Sequence, residues 1–384
     1  MTTARSASPF TEAITKWWLR HDEFDPCGVF TNPAIFIESY AIRAALQRVR
    51  LMEAGGVEVA GPADAPEAVL VPEVGELPMD AMVRQDTAAT TDGGRLLAGA
   101  YAFCDRVVRH QGVQGPPEAL MMGYEMVVKD GVPSCACVAD QASIASAVVD
   151  TVMSRPDHPR AGAWRECIER YADWVLANFI APSGAIGVGI FGHQWNPITE
   201  YWCATSLAGS VIFKLARLTG RSDYEQAALG ALGWLAQFDH TKVEIPTWTD
   251  CAPEVALYSF EGMVEGIRHL VATQGVEAAR EHPVLGRFEV MAQWLVNHQD
   301  LSGRWPEPLD RGYRDYSCGL PWQLLEMEAL VGPQPPWQQC ARRVLADLAS
   351  AGGEEYYGLY VRPFTNGLAW MSTVTADLLT APGA

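Results

Sequence analysis

The sequence predicts an all-α protein in which six helical hairpins form a ring around a central cavity. Three observations predict this fold. Helix signals follow one another with short turns between them, strand signals are few and short, and a tryptophan-centred helix pattern recurs at intervals of 60 residues. Together they predict one domain over residues 1–384.

Twelve segments combine apolar residues at helical spacing with helix-boundary residues at their ends. They lie near residues 10–20, 34–54, 94–111, 138–153, 160–180, 197–219, 222–238, 252–273, 284–299, 318–331, 336–350 and 364–380. Short strand signals occur at Glu67–Val74 and Tyr124–Lys129. The stretch 55–93 is rich in Pro, Gly, Asp and Glu, which predicts a small irregular or hairpin insertion.

The repeat is centred on Trp174, Trp234 and Trp294. Sixty residues hold two helices and two turns, so a chain of 384 residues holds about six such units. One hairpin cannot bury its apolar face alone, and neighbouring hairpins must therefore stack. We expect the three tryptophans to be largely buried between the layers and to make no contact with a ligand.

The helices of such a ring fall into two layers. Inner helices are buried on both sides and are apolar and rich in small residues, whereas outer helices are amphipathic. By this criterion the inner helices begin near 34, 94 or 138, 197, 252, 318 and 364. The loops that lead into them should face the mouth of the cavity.

The charge balance excludes several classes of partner. There are 46 acidic and 28 basic residues, with a net charge of −18 and no run of basic residues. Nucleic acid and anionic membranes are therefore unsuitable partners, and a small-molecule substrate is expected. The sequence leaves homo- or hetero-oligomerisation open.

Nine cysteines form no C-x-x-C pair, which excludes a zinc-ribbon or thioredoxin-like site. No metal site and no cofactor are expected. The first ten residues lack the apolar stretch of a secretion signal, and no window contains about 18 consecutive apolar residues. We therefore expect a soluble, cytoplasmic protein with reduced thiols.

One helix-end motif resembles known families. The run from Gln299 through Gly303 to Trp305 resembles the Q-x-x-x-G-x-W motif of type II terpene cyclases. The same helix end and the run Leu218–Tyr224 resemble those of six-hairpin glycosidases, polysaccharide lyases and sugar epimerases. The resemblance covers about residues 138–380 and implies an (α/α)6 toroid. The chain lacks the D-x-D-D run of the cyclases, and no short glycosidase signature exists from which catalytic residues could be carried over.

The segment 187–202 leads into an inner helix and carries the first candidate site residues. They are His193, Trp195, Glu200 and Tyr201. With Asn196 or Thr199 as the cap, Glu200 and Tyr201 would lie in the first helical turn and face the cavity. The alternative is that Glu200 is only a favourable charge at a helix start.

Two further segments lead into the inner helices near 252 and 318. The first contains Trp248, Asp250 and Glu254, of which Asp250 is alternatively a helix cap. The second contains Arg304, Trp305, Arg311, Tyr313, Arg314, Asp315 and Tyr316. Its three arginines can hold a carboxylate, sulfate or phosphate, unless they form salt bridges within the loop.

Asp140 is the last candidate. It follows Cys135 and Cys137 at the start of the helix near 138, where a carboxylate can reach the cavity of a toroid. A role as helix cap is the alternative.

These residues favour an enzyme that acts on a sugar-like, polar or anionic small molecule by carboxylate acid–base chemistry. Glu200 is the first choice of catalytic group, followed by Asp140, Asp250 and Asp315. His193 or Tyr201 could relay protons instead, as in a lyase or epimerase. Two alternatives remain: a cyclase of specialised metabolism and a non-catalytic, complex-forming protein.

The ring predicts that distant residues meet. Glu200, His193, Trp248, Asp250, Arg314 and Tyr316 should line one pocket. On this hypothesis Glu200→Gln abolishes turnover and leaves the fold intact.

Overall fold

The computed structural model describes residues 33–54, 56, 58–59, 92–112, 117–120, 128–129, 132–133, 135–191, 194–238, 252–305 and 319–350. Eleven helices lie in these ranges: α1 (Pro33–Ala54), α2 (Asp92–His110), α3 (Val138–Ser154), α4 (Ala161–Asn178), α5 (Trp202–Thr219), α6 (Ser222–Leu235), α7 (Ala252–Gln274), α8 (Val276–Glu281), α9 (Pro283–His298), α10 (Leu320–Val331) and α11 (Pro335–Ser350). Ten of the predicted helices are confirmed, and α8 is an additional short helix. The predicted helices 10–20 and 364–380, the strand 67–74 and most of the insertion 55–93 lie outside the described residues.

Five strands accompany the helices in the described part of the chain. They are β1 (Val128–Lys129), β2 (Val132–Pro133), β3 (Cys135–Cys137), β4 (Gly187–Phe191) and β5 (Gln194–Glu200). The first two form a small antiparallel hairpin, near the predicted strand at 124–129. The other three form an antiparallel sheet in the order β3-β4-β5.

The helices form two layers. In the inner layer α1 packs on α3, α3 on α5, α5 on α7 and α7 on α10. Burial distinguishes this layer, since every residue of α5 from Trp202 to Ala216 is buried, as are nearly all residues of α3 from Val138 to Val152. The start near 138, and not the alternative near 94, therefore belongs to an inner helix.

The outer helices bury one face each. In α4 the buried residues include Trp164, Ile168, Tyr171 and Val175, which recur every three or four positions. Helix α9 shows the same spacing at Val284, Phe288, Met291 and Leu295. These faces pack on the inner layer, which explains why the outer helices alone carry the amphipathic pattern.

The prediction of a helix from residue 197 was wrong, because 194–200 is a strand and α5 begins at Trp202. The N-cap of α5 is Tyr201, and neither Asn196 nor Thr199 caps it. Asn196 precedes a proline, which disfavours helical backbone, and Pro197 fits β5 because β5 is the edge strand of its sheet.

Candidate active site

The three-stranded sheet holds the starts of α3 and α5 side by side. Cys137, the last residue of β3, pairs with Gly189 of β4, and Glu200, the last residue of β5, pairs with Gly187. The backbone N–H of Tyr201 then donates to the carbonyl oxygen of Ile186 at 3.3 Å. At the strand spacing of a sheet, the Cα atoms of Cys137 and Glu200 lie about 12 Å apart.

Asp140 lies in the first turn of α3 and is partly buried. Burial raises the pKa of its carboxyl to about 7, although a hydrogen bond with the side chain of Cys137 acts in the opposite direction. The N-cap of α3 is Cys137, so Asp140 does not cap the helix. A carboxyl group that titrates near neutral pH can both donate and accept a proton under working conditions.

Tyr171 of α4 supports this corner from the outer layer. Its hydroxyl donates to the carbonyl oxygen of Val138 at 3.0 Å and is buried. Burial raises the pKa of Tyr171 well above its ordinary value, and the neighbouring Cys137 and Asp140 raise it further. Tyr171 therefore remains a neutral hydrogen-bond donor beside Asp140.

Glu200 is exposed at the end of β5 and contacts the outer layer. One carboxylate oxygen accepts from Ser183 Oγ at 2.5 Å and the other from Trp234 Nε1 at 3.1 Å. Ser183 lies in the turn after α4, and Trp234 lies on α6, both outer helices. Tyr201 is partly buried with its ring beside Trp202, at 5.6 Å between centroids.

The Q-x-x-x-G-x-W turn ties α9 to α11. Gln299 Nε2 donates to the carbonyl oxygens of Gly303 and Cys340, each at 3.1 Å. Trp305 is only 1% exposed, and its Nε1 donates to the carbonyl oxygen of Leu295 at 2.9 Å. These contacts favour a packing role for Trp305 over substrate contact, whereas Arg304 is exposed.

For the remaining candidates the structure gives at most the position of the backbone. The backbone of Trp195 lies in β5, opposite Ile190, and Glu254 lies in the first turn of α7. The other candidates fall outside the described residues: His193, Trp248, Asp250, Arg311, Tyr313, Arg314, Asp315 and Tyr316. Their convergence on one pocket stays a prediction.

A group of charged side chains lies between the inner helices and was not predicted from the sequence. This inner-layer ion cluster consists of Arg43, Asp150, Lys214, Arg217, Glu261, Glu265, Arg268 and Glu326. Four of these residues are basic and four are acidic, so the cluster is electrically balanced. They come from all five described inner helices, so the cluster links the whole described part of the inner layer.

Arg43 is at the centre of the cluster and is 4% exposed. Its guanidinium lies 3.2 Å from Asp150 Oδ2 and 2.8 Å from Glu261 Oε1, and its Cζ lies 5.3 Å from the centroid of the Trp322 ring. Lys214 Nζ lies 2.8 Å from Asp150 Oδ1 and donates to Ser146 Oγ at 3.3 Å. Arginine packed on an aromatic face and paired with two carboxylates is held in one geometry.

The cluster and Asp140 lie at different depths of the ring. Ten residues of α3 separate Asp140 from Asp150, which corresponds to about 15 Å along the helix axis. Burial acts to raise the pKa of Asp150, but the charges of Lys214, Arg43 and Arg50 outweigh it and hold that pKa at about 2. A carboxylate that stays ionised and paired favours a structural role.

One sequence signal could have located this cluster. Lys214 and Arg217 of α5, and Glu261 and Glu265 of α7, are charges on helices that are otherwise rich in apolar and small residues. A charge buried in such a position needs a partner, and only the fold supplies the partner's identity.

Within the residues that the structure describes, no three His, Cys, Asp or Glu side chains are grouped so that they could hold a metal ion. The search for a membrane-spanning helix covered the same residues and found none of sufficient length and apolarity.

Comparison with known proteins shows the fold. No protein-family profile matches the sequence, and no curated protein matches it. Among solved structures, the chain is similar to a GH76 α-mannanase from Bacteroides thetaiotaomicron, with a TM-score of 0.54 and 10% sequence identity. The likeness covers 90% of this chain and 86% of that chain. It confirms the predicted all-α, (α/α)6 toroid architecture and the resemblance to six-hairpin glycosidases at the level of fold.

Proposed function

We propose that this protein is a glycoside hydrolase that acts on a sugar substrate at the end of the ring where the inner helices begin, with Asp140 as the general acid. The observation that carries the proposal is the position of the Asp140 carboxyl in the first turn of an inner helix, beside the buried hydroxyl of Tyr171. Burial there raises the pKa of Asp140 to about 7. The toroid fold shared with an α-mannanase supports the choice of a glycoside.

The chemistry needs an acid that is protonated near neutral pH. In glycoside hydrolysis one carboxylic acid protonates the oxygen of the leaving sugar while a second carboxylate activates water or attacks the sugar directly. A carboxyl with a pKa of about 7 holds its proton in about half of the molecules at neutral pH. Asp140 therefore has the property that the acid role requires.

Asp250 and Asp315 are the candidates for the second carboxylate. Each precedes an inner helix in the sequence, as Asp250 comes just before α7 and Asp315 just before α10. The sugar would be bound by His193 and by Trp248, Arg304, Arg311, Tyr313, Arg314 and Tyr316. The distance between the two carboxyl groups decides between retention and inversion of the anomeric centre.

Glu200 is less suited to the acid role than Asp140. It is exposed, and both of its oxygens already accept hydrogen bonds from outer-layer residues. A proton donor in hydrolysis needs one oxygen free to reach the leaving group.

The experiment compares two aspartates at opposite ends of α3. The wild type, Asp140→Asn and Asp157→Asn are assayed on aryl glycosides and α-mannan, together with unsaturated uronides and polyprenyl diphosphates for the lyase and cyclase alternatives. We expect glycoside cleavage that falls about 10²–10⁴-fold in Asp140→Asn and is unchanged in Asp157→Asn, since Asp157 is an exposed residue of the turn after α3.

The pH profile gives a second test. A general acid acts only when protonated, so kcat/KM should fall as the pH rises through about 7. Full activity of Asp140→Asn would move the acid role to another carboxylate. If the wild type cleaves none of the tested glycosides, the proposed function is wrong.

A further inference from the structure

Three aromatic rings form a stack from the inner layer to the outer layer. Trp202, at the start of α5, is buried, and the ring of Phe238 lies 6.3 Å from it at an interplanar angle of 19°. The ring of Trp234 lies 5.4 Å beyond Phe238, again at 19°. Trp234 is half-buried, so this aromatic ladder, defined as Trp202, Phe238 and Trp234, ends at the protein surface.

The outer end of the ladder carries a carboxylate. Trp234 Nε1 donates to one oxygen of Glu200 at 3.1 Å, and Ser183 Oγ donates to the other at 2.5 Å. The two donors fix the carboxylate beside the indole ring while Glu200 remains exposed. Each carboxylate oxygen has further lone pairs that can accept hydrogen bonds from a ligand.

We propose that Trp234 and Glu200 form a sugar-binding subsite outside the catalytic centre. One face of a pyranose ring presents C–H groups that pack on an aromatic ring, and its hydroxyl groups donate to a fixed carboxylate. An apolar platform with a few convergent polar groups is the usual composition of a small-molecule site.

The position of the subsite connects it to the proposed active site, and the inference rests on that proposed function. Glu200 and Cys137 lie on either side of β4, with Cα atoms about 12 Å apart. Asp140 follows Cys137 by one helical turn. A sugar chain whose cleaved bond lies at Asp140 would place a unit farther along the chain against Trp234.

The competing explanation is structural. Glu200 joins the turn after α4 to α6, and such a link would stabilise the fold without binding a ligand. The two explanations predict different effects of a variant. Loss of a purely structural link would lower the melting temperature and leave the affinity for oligosaccharides unchanged. Loss of a subsite residue would weaken that affinity.

The experiment measures binding in the Asp140→Asn background by isothermal titration calorimetry. The probes are α-mannotetraose, xylotetraose and maltotetraose, with tetramethylammonium as a test of a cation site. The variants are Trp234→Ala, Trp234→Phe and Glu200→Gln. The matched control is Trp294→Ala, since Trp294 occupies the same repeat position on α9, is half-buried and stacks on His298 at 4.1 Å.

We expect at least one tetrasaccharide to bind. Trp234→Ala should weaken its binding about tenfold, Trp234→Phe should keep most of the affinity, and Trp294→Ala should bind as the background does. If Trp234→Ala does not fold, Glu200→Gln serves as the test of the subsite. Its affinity for the tetrasaccharide should fall about threefold or more, because the charge-assisted hydrogen bonds are missing.

Three results would overturn the subsite. Trp234→Ala could bind the tetrasaccharide as tightly as the background, the protein could bind tetramethylammonium in place of sugars, or it could bind no tetrasaccharide at all. The proposed function fails separately. If Asp140→Asn keeps full turnover while Trp234→Ala weakens binding, Asp140 is not the acid and the subsite stands.

Discussion

Lys214 of α5 and Asp150 of α3 form an ion pair across the inner layer, with 2.8 Å between Nζ and Oδ1. Lys214 is buried and lies between the apolar residues Phe213 and Leu215 of α5. The pair belongs to the inner-layer ion cluster, which joins inner helices that are far apart in the sequence. The described inner helices are therefore joined by charges at this depth and not by apolar packing alone.

The pKa of Asp150 predicts a loss of stability in acid. Its folded-state pKa of about 2 is below the ordinary value of 3.8, so its contribution is present above about pH 4 and is lost as the pH falls toward 2. The contribution is about 2 kcal/mol. Urea unfolding of the wild type and Asp150→Asn should show a difference in free energy that narrows from pH 5 to pH 2.5. A difference that does not change with pH would contradict the pairing.

Removing Lys214 should leave the Asp150 carboxylate with one positive partner fewer. Lys214→Met is expected to lower the free energy of unfolding by about 3 kcal/mol. The double variant Lys214→Met with Asp150→Asn should lose less than the sum of the two single losses. The control is Arg165→Met, because Arg165 forms an exposed pair with Glu169 that should contribute about 0.5 kcal/mol or less. Equal losses in Lys214→Met and Arg165→Met would argue against the inner-layer ion cluster.

The repeat tryptophans should differ in stability. Trp174 is 7% exposed and contacts the ring of Phe179 edge-on at 4.7 Å, so Trp174→Ala should cost about 3–5 kcal/mol. Trp234 and Trp294 are half-buried, which corrects the expectation that all three are largely buried. Trp234→Ala should therefore cost about 1–2 kcal/mol. Denaturant unfolding measures both variants. If Trp174→Ala and Trp234→Ala lost the same free energy of unfolding, the difference in burial would not determine their contribution to stability.

Helices α5 and α7 approach too closely for a side chain at Gly262. A Cβ there would lie 2.6 Å from Ser206 Oγ and 2.7 Å from the Ser206 carbonyl oxygen. Gly262→Ala should destabilise the fold by about 1–3 kcal/mol despite its better helix propensity. Gly233→Ala in α6 is the control, since its Cβ would meet nothing within 4 Å, and it should stabilise by about 0.5–1 kcal/mol. Thermal unfolding of both variants checks the sign.

Much of the candidate site could not be located from sequence. Asp140 was identified from its position at a helix start, but its raised pKa depends on burial by residues distant in the chain, such as Tyr171. Glu200 was assigned to a helix because Pro197 and Glu200 fit a helix start. The segment forms a strand because β4 pairs with it in an antiparallel ladder, and local propensity does not reveal such a partner.

The sequence by itself determined the helices, the two layers and the hairpin repeat, because these depend on the spacing of apolar residues along a single helix. Apolar and small residues all round α5 predict an inner helix and an apolar stripe along α4 predicts an outer one, and the burial of both helices agrees. The tertiary structure alone decided which charges meet between the inner helices, that the partners of Glu200 are Ser183 and Trp234, and that Trp174 is more buried than Trp234. Each of these depends on contacts between segments far apart in the chain, and hydrophobic periodicity carries no information about which segments meet.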